Sequence, residues 1–123
     1  MSLSSIQRDF TYDIGCLIGW AYENGYELTC GDFYRSPRAF GGQGEKGPYG
    51  RSKSAHKNRL AADLNLFIDG VYQESTEAYR PLGEFWISLH PDNEWGGDWD
   101  QDGEVDENDW DGNHFSRRWG GIA

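Results

Sequence analysis

The sequence has few cysteines and no long apolar segment. Its 123 residues include only two cysteines, Cys16 and Cys30. Neither belongs to a CxxC pair or a Cys/His ligand pattern, which argues against a metal site built on thiolates, and we expect both to be reduced core residues. No apolar run approaches the length of a membrane span, and no basic segment leads into an apolar one near the start. We therefore expect synthesis in the cytoplasm without a signal peptide, and no membrane span.

Positive charge is also scarce. Lys and Arg number 11 against 21 Asp and Glu, a formal net charge of −10. Nucleic-acid binding needs clustered basic residues, so this composition argues against it. The 37% hydrophobic content, with six Trp, seven Tyr and six Phe, favours a folded globule. With no repeats and no break in composition, we expect residues 1–123 to form one domain.

Apolar periodicity predicts two helices. Residues 4–25 carry apolar side chains at helical spacing behind a possible Ser cap, and residues 76–89 do so despite Pro81 near the start. Residues 35–53 are rich in Gly, Pro, Ser and charge and have no period, which predicts a long loop. A loop of this length in a small domain is often functional.

Strand signals lie between and after the helices. Residues 26–34 favour a strand, and residues 60–68 form an apolar run interrupted by polar residues. The pair Asp69-Gly70 predicts a hairpin turn into Val71 and Tyr72. After His90 the sequence is loop-rich until residues 114–119, which we expect to form the last strand.

The three histidines allow every candidate metal site to be enumerated. His56 precedes a strand that carries Asp63, and His114 closes the run Asp111-Gly-Asn-His. Two histidines and a carboxylate would leave the fourth tetrahedral position open, as a catalytic zinc site requires. Spacing alone equally permits structural histidines and an Asp63 that accepts backbone hydrogen bonds. His90 fits no such pattern, and we expect it to be structural or exposed.

Four segments resemble one peptidase family. The run SAHKNRLAADLNLF resembles the SxHxxGxAxD element of the D-alanyl-D-alanine carboxypeptidase and L-alanyl-D-glutamate endopeptidase family, which includes phage endolysins. DGNHF resembles its closing catalytic element. LTCGDFYRS is similar to the strand and turn with a substrate-facing Arg, and EWGGDW to the Trp-Gly-Gly loop. The four occur in family order, and the region from the first to the last spans most of the chain.

This resemblance implies a fold and a set of roles. The fold would be α+β, a small antiparallel sheet with packed helices and a zinc site on the sheet face, of the hedgehog/D-Ala-D-Ala peptidase type. His56, Asp63 and His114 would bind zinc. Asp111 would be the general base and Arg35 would stabilise the substrate oxyanion. Two departures are an Arg at position 59, where the family often has Gly, and Asp in place of a Glu base.

The resemblance also implies a function. The expected activity is that of a zinc metallopeptidase that hydrolyses an amide bond in the peptidoglycan stem peptide, with L-alanyl-D-glutamate as the first expectation. A D-alanyl-D-alanine carboxypeptidase is the alternative within the same chemistry. As a monomeric phage endolysin, the protein would be released from the host cytoplasm to act on the cell wall.

A second metal site is predicted at residues 98–109. Gly103 and Val105 occupy the turn and anchor positions of an EF-hand loop. The predicted calcium ligands are Asp98, Asp100, Asp102, Glu104, Asp106 and Asp109. We expect bound calcium to order this loop and so complete the zinc site. Two alternatives remain, a solvated acidic loop and a non-catalytic calcium-binding interaction module in which the loop is the functional part.

Overall fold

The computed structural model describes residues 2–99, 102–103 and 111–123. Within these residues the fold is α+β, as predicted, with a small antiparallel sheet and three helices. The helices are α1 (Leu3–Glu23), α2 (Pro37–Phe40) and α3 (Arg80–Leu89), and 3₁₀ turns form at Ala55–Asn58 and Thr76–Tyr79. The strands are β1 (Glu27–Cys30), β2 (Ala61–Ile68), β3 (Val71–Tyr72), β4 (Asn93–Trp95) and β5 (His114–Arg117).

The sheet places the longest strand near its centre. The strand order is β1-β2-β5-β4, with β3 paired to the far end of β2 through the predicted hairpin. All pairings are antiparallel. In the β2–β5 pairing, Asp63 lies directly opposite His114. Residues that face each other in an antiparallel pair project to the same side, so the sheet itself brings these two side chains together.

Helices α1 and α3 cover the opposite side of the sheet. Helix α1 buries Phe10, Ile14 and Leu17, and α3 buries Leu82 and Trp86. The Phe10 and Trp86 rings meet edge to face with centroids 5.6 Å apart, which joins the two helices. None of the helices in the described part of the chain has the length and apolarity needed to cross a membrane.

The structure corrects three predictions. The strand Asn93–Trp95 was not expected, since three residues are too few to show an alternating pattern. The predicted helix 76–89 begins with the 3₁₀ turn Thr76–Tyr79, and α3 starts only at Arg80, where Pro81 is tolerated in the first turn. A short helix, Pro37–Phe40, lies in the predicted loop.

The expectation that both cysteines belong to the core is wrong. Cys16 is only half-buried and Cys30 is exposed, although both are free thiols as expected. Cys16 lies on α1 between the core positions Ile14 and Leu17, so its side chain turns partly away from the sheet. Cys30 is the last residue of β1, the outermost strand next to β2.

Candidate metal centre

Two of the three candidate ligands come from the sheet. Asp63 and His114 project from β2 and β5 on the side away from α1 and α3, while their neighbours Ala62, Leu64 and Phe115 are buried in the core. The Nδ1 atom of His114 lies 3.4 Å from Oδ1 of Asp63. Asp63, which interrupts the apolar residues of β2, therefore lies on the side of the strand that faces the site.

The third ligand comes from the turn before β2. His56 lies in the 3₁₀ turn Ala55–Asn58, which the Ser54 side chain caps by accepting the His56 N–H. The Nδ1 atom of His56 is 2.9 Å from the carbonyl oxygen of Phe33. A carbonyl only accepts hydrogen bonds, so Nδ1 carries a proton and Nε2 is the nitrogen that faces Asp63 and could bind a metal ion. That Nε2 is 3.3 Å from Oδ1 of Asp63.

The three side chains together have the composition of a zinc site. One potential ligand atom from each of His56, Asp63 and His114 lies within 4.8 Å of the other two. Both histidines are buried, and Nε2 of His114 has no hydrogen-bond partner among the described residues. No hydrogen bond at Nε2 orients the His114 ring in the described structure, so a cation bound at Nδ1 would fix its orientation. Two imidazoles and one carboxylate, without a thiolate, form the type of donor set that catalytic zinc uses.

The electrostatics of Asp63 suit a cation. Burial would raise the pKa of this carboxyl group, but hydrogen bonds with His114 and His56 outweigh it and hold the pKa well below its ordinary value. Asp63 is therefore ionised at neutral pH. Among the described residues, it supplies the one negative charge in direct contact with both imidazoles.

The pKa of Asp111 is shifted in the opposite direction from that of Asp63. Its Oδ2 atom lies 3.9 Å from Nδ1 of His114, so it borders the cluster without joining it. Burial raises the pKa of Asp111, and the nearby His114 offsets this in part. A carboxyl group whose pKa moves towards neutrality can both accept and return a proton, which is the requirement for a general base.

The Trp-Gly-Gly segment holds Asp111 and His114 in place. Gly96 donates its N–H to the His114 carbonyl and accepts the N–H of Asp111. A side chain at Gly96 would overlap the Asp111 carbonyl, and one at Gly97 would overlap the buried Trp95 ring. The Trp95 indole N–H in turn donates to the Gly112 carbonyl at 2.7 Å. The two glycines thus permit a close approach between β4 and the segment that begins at Asp111.

Arg35 lies in the site and is not the solvated residue that its polar loop would suggest. Its side chain is 12% exposed. The Nε atom donates to Asp32 at 3.1 Å, and Nη1 donates to the Ser54 hydroxyl at 3.3 Å. Its Nη2 atom lies 4.0 Å from Oδ2 of Asp63. Ser54 therefore orients the candidate oxyanion-stabilising residue as well as capping the turn that carries His56.

All five predicted catalytic and zinc residues line one open cavity of about 720 Å³. The sequence-based prediction missed four further lining residues, Tyr49, Gly50, Arg51 and Trp99. The Trp99 ring lies 5.1 Å from the His114 ring, and the Arg51 guanidinium lies 5.4 Å from the Trp99 ring. The only sequence signal for Tyr49, Gly50 and Arg51 was the length of the loop that carries them.

The turn at position 59 forms without the glycine of the family pattern. Arg59 adopts the left-handed conformation, with φ 59° and ψ 34°, directly after the 3₁₀ turn of His56. Its N–H donates to the His56 carbonyl, and its guanidinium lies 4.1 Å from the centre of the Tyr34 ring. This arginine is exposed.

His90 lies outside the metal cluster, as predicted. It is half-buried, and its Nδ1 accepts the backbone N–H of Asp92 at 3.0 Å. This hydrogen bond stabilises the turn between α3 and β4. The role of His90 in the described structure is therefore local.

The predicted calcium loop lies mostly outside the described residues. Asp98 and Asp102 are described, whereas Asp100, Glu104, Asp106 and Asp109 are not. Asp98 is buried and its carboxylate accepts the N–H groups of Asp102 and Gly103 at 3.1 and 3.0 Å. Calcium binding at this loop stays a prediction.

No protein-family model and no curated protein matches this chain.

Proposed function

We propose that the protein is a zinc-dependent peptidase that hydrolyses an amide bond in the peptidoglycan stem peptide. The observation that carries the proposal is the convergence of His56, Asp63 and His114 in an open cavity that Asp111 and Arg35 also line. The substrate class rests on the four segments that resemble the peptidase family. We also propose that the fold is of the hedgehog/D-Ala-D-Ala peptidase type.

The metal would be held by Nε2 of His56, a carboxylate oxygen of Asp63 and Nδ1 of His114, the atoms that face one another. Bound zinc would supply Lewis-acid chemistry, which activates water and polarises the scissile carbonyl. Phe33 fixes the tautomer of His56 through its carbonyl oxygen, which keeps the Nε2 lone pair available.

The chain's own residues would move the proton and stabilise charge. Asp111 accepts a proton from the attacking water and returns it to the departing amine, because burial raises its pKa towards the range where both transfers are possible. Arg35 donates hydrogen bonds to the oxygen that becomes negative during attack. Its own contacts with Asp32 and Ser54 hold the guanidinium in the cavity before substrate binds.

The test combines metal analysis with hydrolysis of purified peptidoglycan. We expect one bound zinc per chain and release of new amino termini that a chelator abolishes and added zinc restores. His56→Ala and His114→Ala should lose both, whereas His90→Ala is the matched control and should lose neither. Undiminished zinc in the first two variants, or hydrolysis that persists without metal, would contradict the proposal.

The identity of the products separates the two candidate bonds. Cleavage between L-alanine and D-glutamate exposes the amino group of glutamate, whereas carboxypeptidase action releases free D-alanine. We expect the former. Release of free D-alanine alone would retain the zinc chemistry and assign the carboxypeptidase reaction instead.

A further inference from the structure

Lys57 is a buried cation next to the candidate ligand His56, and neither the sequence pattern nor the proposed mechanism assigns it a role. It follows His56 directly and is only 9% exposed. Its ammonium group donates to three backbone carbonyls, those of Gly42 at 3.0 Å, Glu45 at 2.6 Å and Ser52 at 2.8 Å. All three donors of the ammonium are therefore used, which offsets the cost of removing the charge from water.

The three carbonyls belong to one loop, residues 41–54. Three further hydrogen bonds close this loop. Gly44 donates its N–H to the Ser52 carbonyl at 2.9 Å, and the Gln43 side chain bonds both the N–H and the carbonyl of Ser54. Lys57 reaches both halves of the loop from the turn that carries the candidate ligand His56. The loop thus has its own attachment to the metal centre.

The same loop surrounds Arg35. The Tyr49 ring lies 5.4 Å from the Arg35 guanidinium, and the Tyr49 hydroxyl donates to the Asp32 carboxylate that also binds Arg35. Gly50 packs so closely that a Cβ there would lie 2.5 Å from Nη1 of Arg35. The position of the guanidinium in the cavity therefore depends on the path of this loop.

We propose that Lys57 is a positioning residue that fixes the loop 41–54 and, through Tyr49 and Gly50, holds Arg35 towards the reacting carbonyl. Lys57 does not line the cavity and does not touch the substrate. It acts as an internal cation that organises backbone carbonyls, where other loops use a bound metal ion. The catalytic effect of Lys57 rests on the proposed function. The structural part of the inference, in which Lys57 positions the loop and Arg35, does not.

The test is the variant Lys57→Met, which keeps most of the side-chain volume and removes the ammonium. We expect unchanged zinc content, faster hydrogen exchange of the Gly44 and Ser54 amides, and a fall in kcat of about tenfold to a hundredfold with a smaller change in KM, as misplacement of a catalytic group produces. Gln43→Ala, which removes a different attachment of the same loop, should give the same pattern. Lys53→Met, an exposed lysine on this segment, should change nothing.

A double-mutant cycle with Arg35→Ala distinguishes positioning from a general loss of structure. If Lys57 acts through Arg35, Lys57→Met should lower kcat little further in the Arg35→Ala background. If the two substitutions lower kcat by factors that multiply in the double variant, or if Lys57→Met has the wild-type kcat, the proposal is overturned. The Nε–Hε resonance of Arg35, assigned by its loss in Arg35→Ala, should shift in Lys57→Met whether or not the protein hydrolyses peptidoglycan. An unchanged resonance would refute the structural part, while the absence of hydrolysis by the wild type would refute only the proposed function.

Discussion

At the scale of single residues, Asp111 is the clearest case of a group that borders the metal cluster without belonging to it. Asp111→Asn preserves size and should retain zinc and the fold, because the three candidate ligands are untouched. Loss of the proposed general base should lower kcat by about a hundredfold or more. Glu84→Gln, an exposed change on α3, is the control. A zinc-loaded Asp111→Asn protein with the wild-type rate would remove Asp111 from the mechanism.

Gly50 offers a test of how Arg35 is held. Gly50→Ala should lower kcat because the new methyl group would lie 2.5 Å from Nη1 of Arg35 and displace it. Gly44→Ala is the matched control. Both glycines have positive φ values, 79° and 89°, so both variants carry the same backbone strain, but no atom lies within 4 Å of a Cβ at Gly44. Equal losses of activity in the two variants would show that strain, and not the contact with Arg35, is responsible.

At the scale of elements, the turn that ends at Arg59 connects the His56 segment to β2. A left-handed conformation costs an arginine roughly 1–2 kcal/mol, and an exposed contact with Tyr34 returns about 0.5–1 kcal/mol. Arg59→Ala removes the contact and keeps the strain, whereas Arg59→Gly removes both. We therefore expect the Gly variant to be more stable than the Ala variant by about 1 kcal/mol in urea unfolding. Equal free energies of unfolding would mean that the turn is not strained.

The elements also show what could be predicted from the sequence. Helix α1 and strand β2 are long enough for their periodicity to be visible, and both were predicted. The strand Asn93–Trp95 was not, because its assignment depends on pairing with β5, a contact distant in sequence. The candidate metal ligands could be predicted because the chain has only three histidines and the segments around His56 and His114 resemble a family pattern. The role of Lys57 could not be predicted, because its partners are backbone carbonyls of a loop. The sequence of that loop has no periodic pattern that would indicate its path.

At the scale of the whole molecule, one buried arginine joins the first helix to the last strand. Arg117 is 2% exposed, and it contacts Asp13 at 2.5 Å, Asp9 at 2.9 Å and Asn93 at 2.6 Å. Removing the cation would leave the buried Asp13 carboxylate without its partner, which costs about 3 kcal/mol. Arg117→Met should therefore lower the free energy of unfolding by that amount. Arg8→Met, a change of an exposed arginine on α1, is the control and should cost less than about 1 kcal/mol. Similar losses in the two variants would contradict this assignment.

Metal binding should be visible in the stability of the entire fold, because the three candidate ligands come from three separate segments of the chain. His56 lies in a turn, Asp63 on β2 and His114 on β5, so an unfolded chain does not present the site. A ligand that binds only the folded state stabilises it by about 2.7 kcal/mol when its free concentration is 100 times Kd. Added zinc should raise Tm and the free energy of unfolding accordingly, and a chelator should reverse both. The His114→Ala variant should lose this response, whereas Arg117→Met should keep it despite its lower starting stability, since Arg117 lies on the helix side of β5. A zinc response that survives in His114→Ala would place the metal elsewhere, and the absence of any response in the wild type would refute a zinc site formed by these three residues.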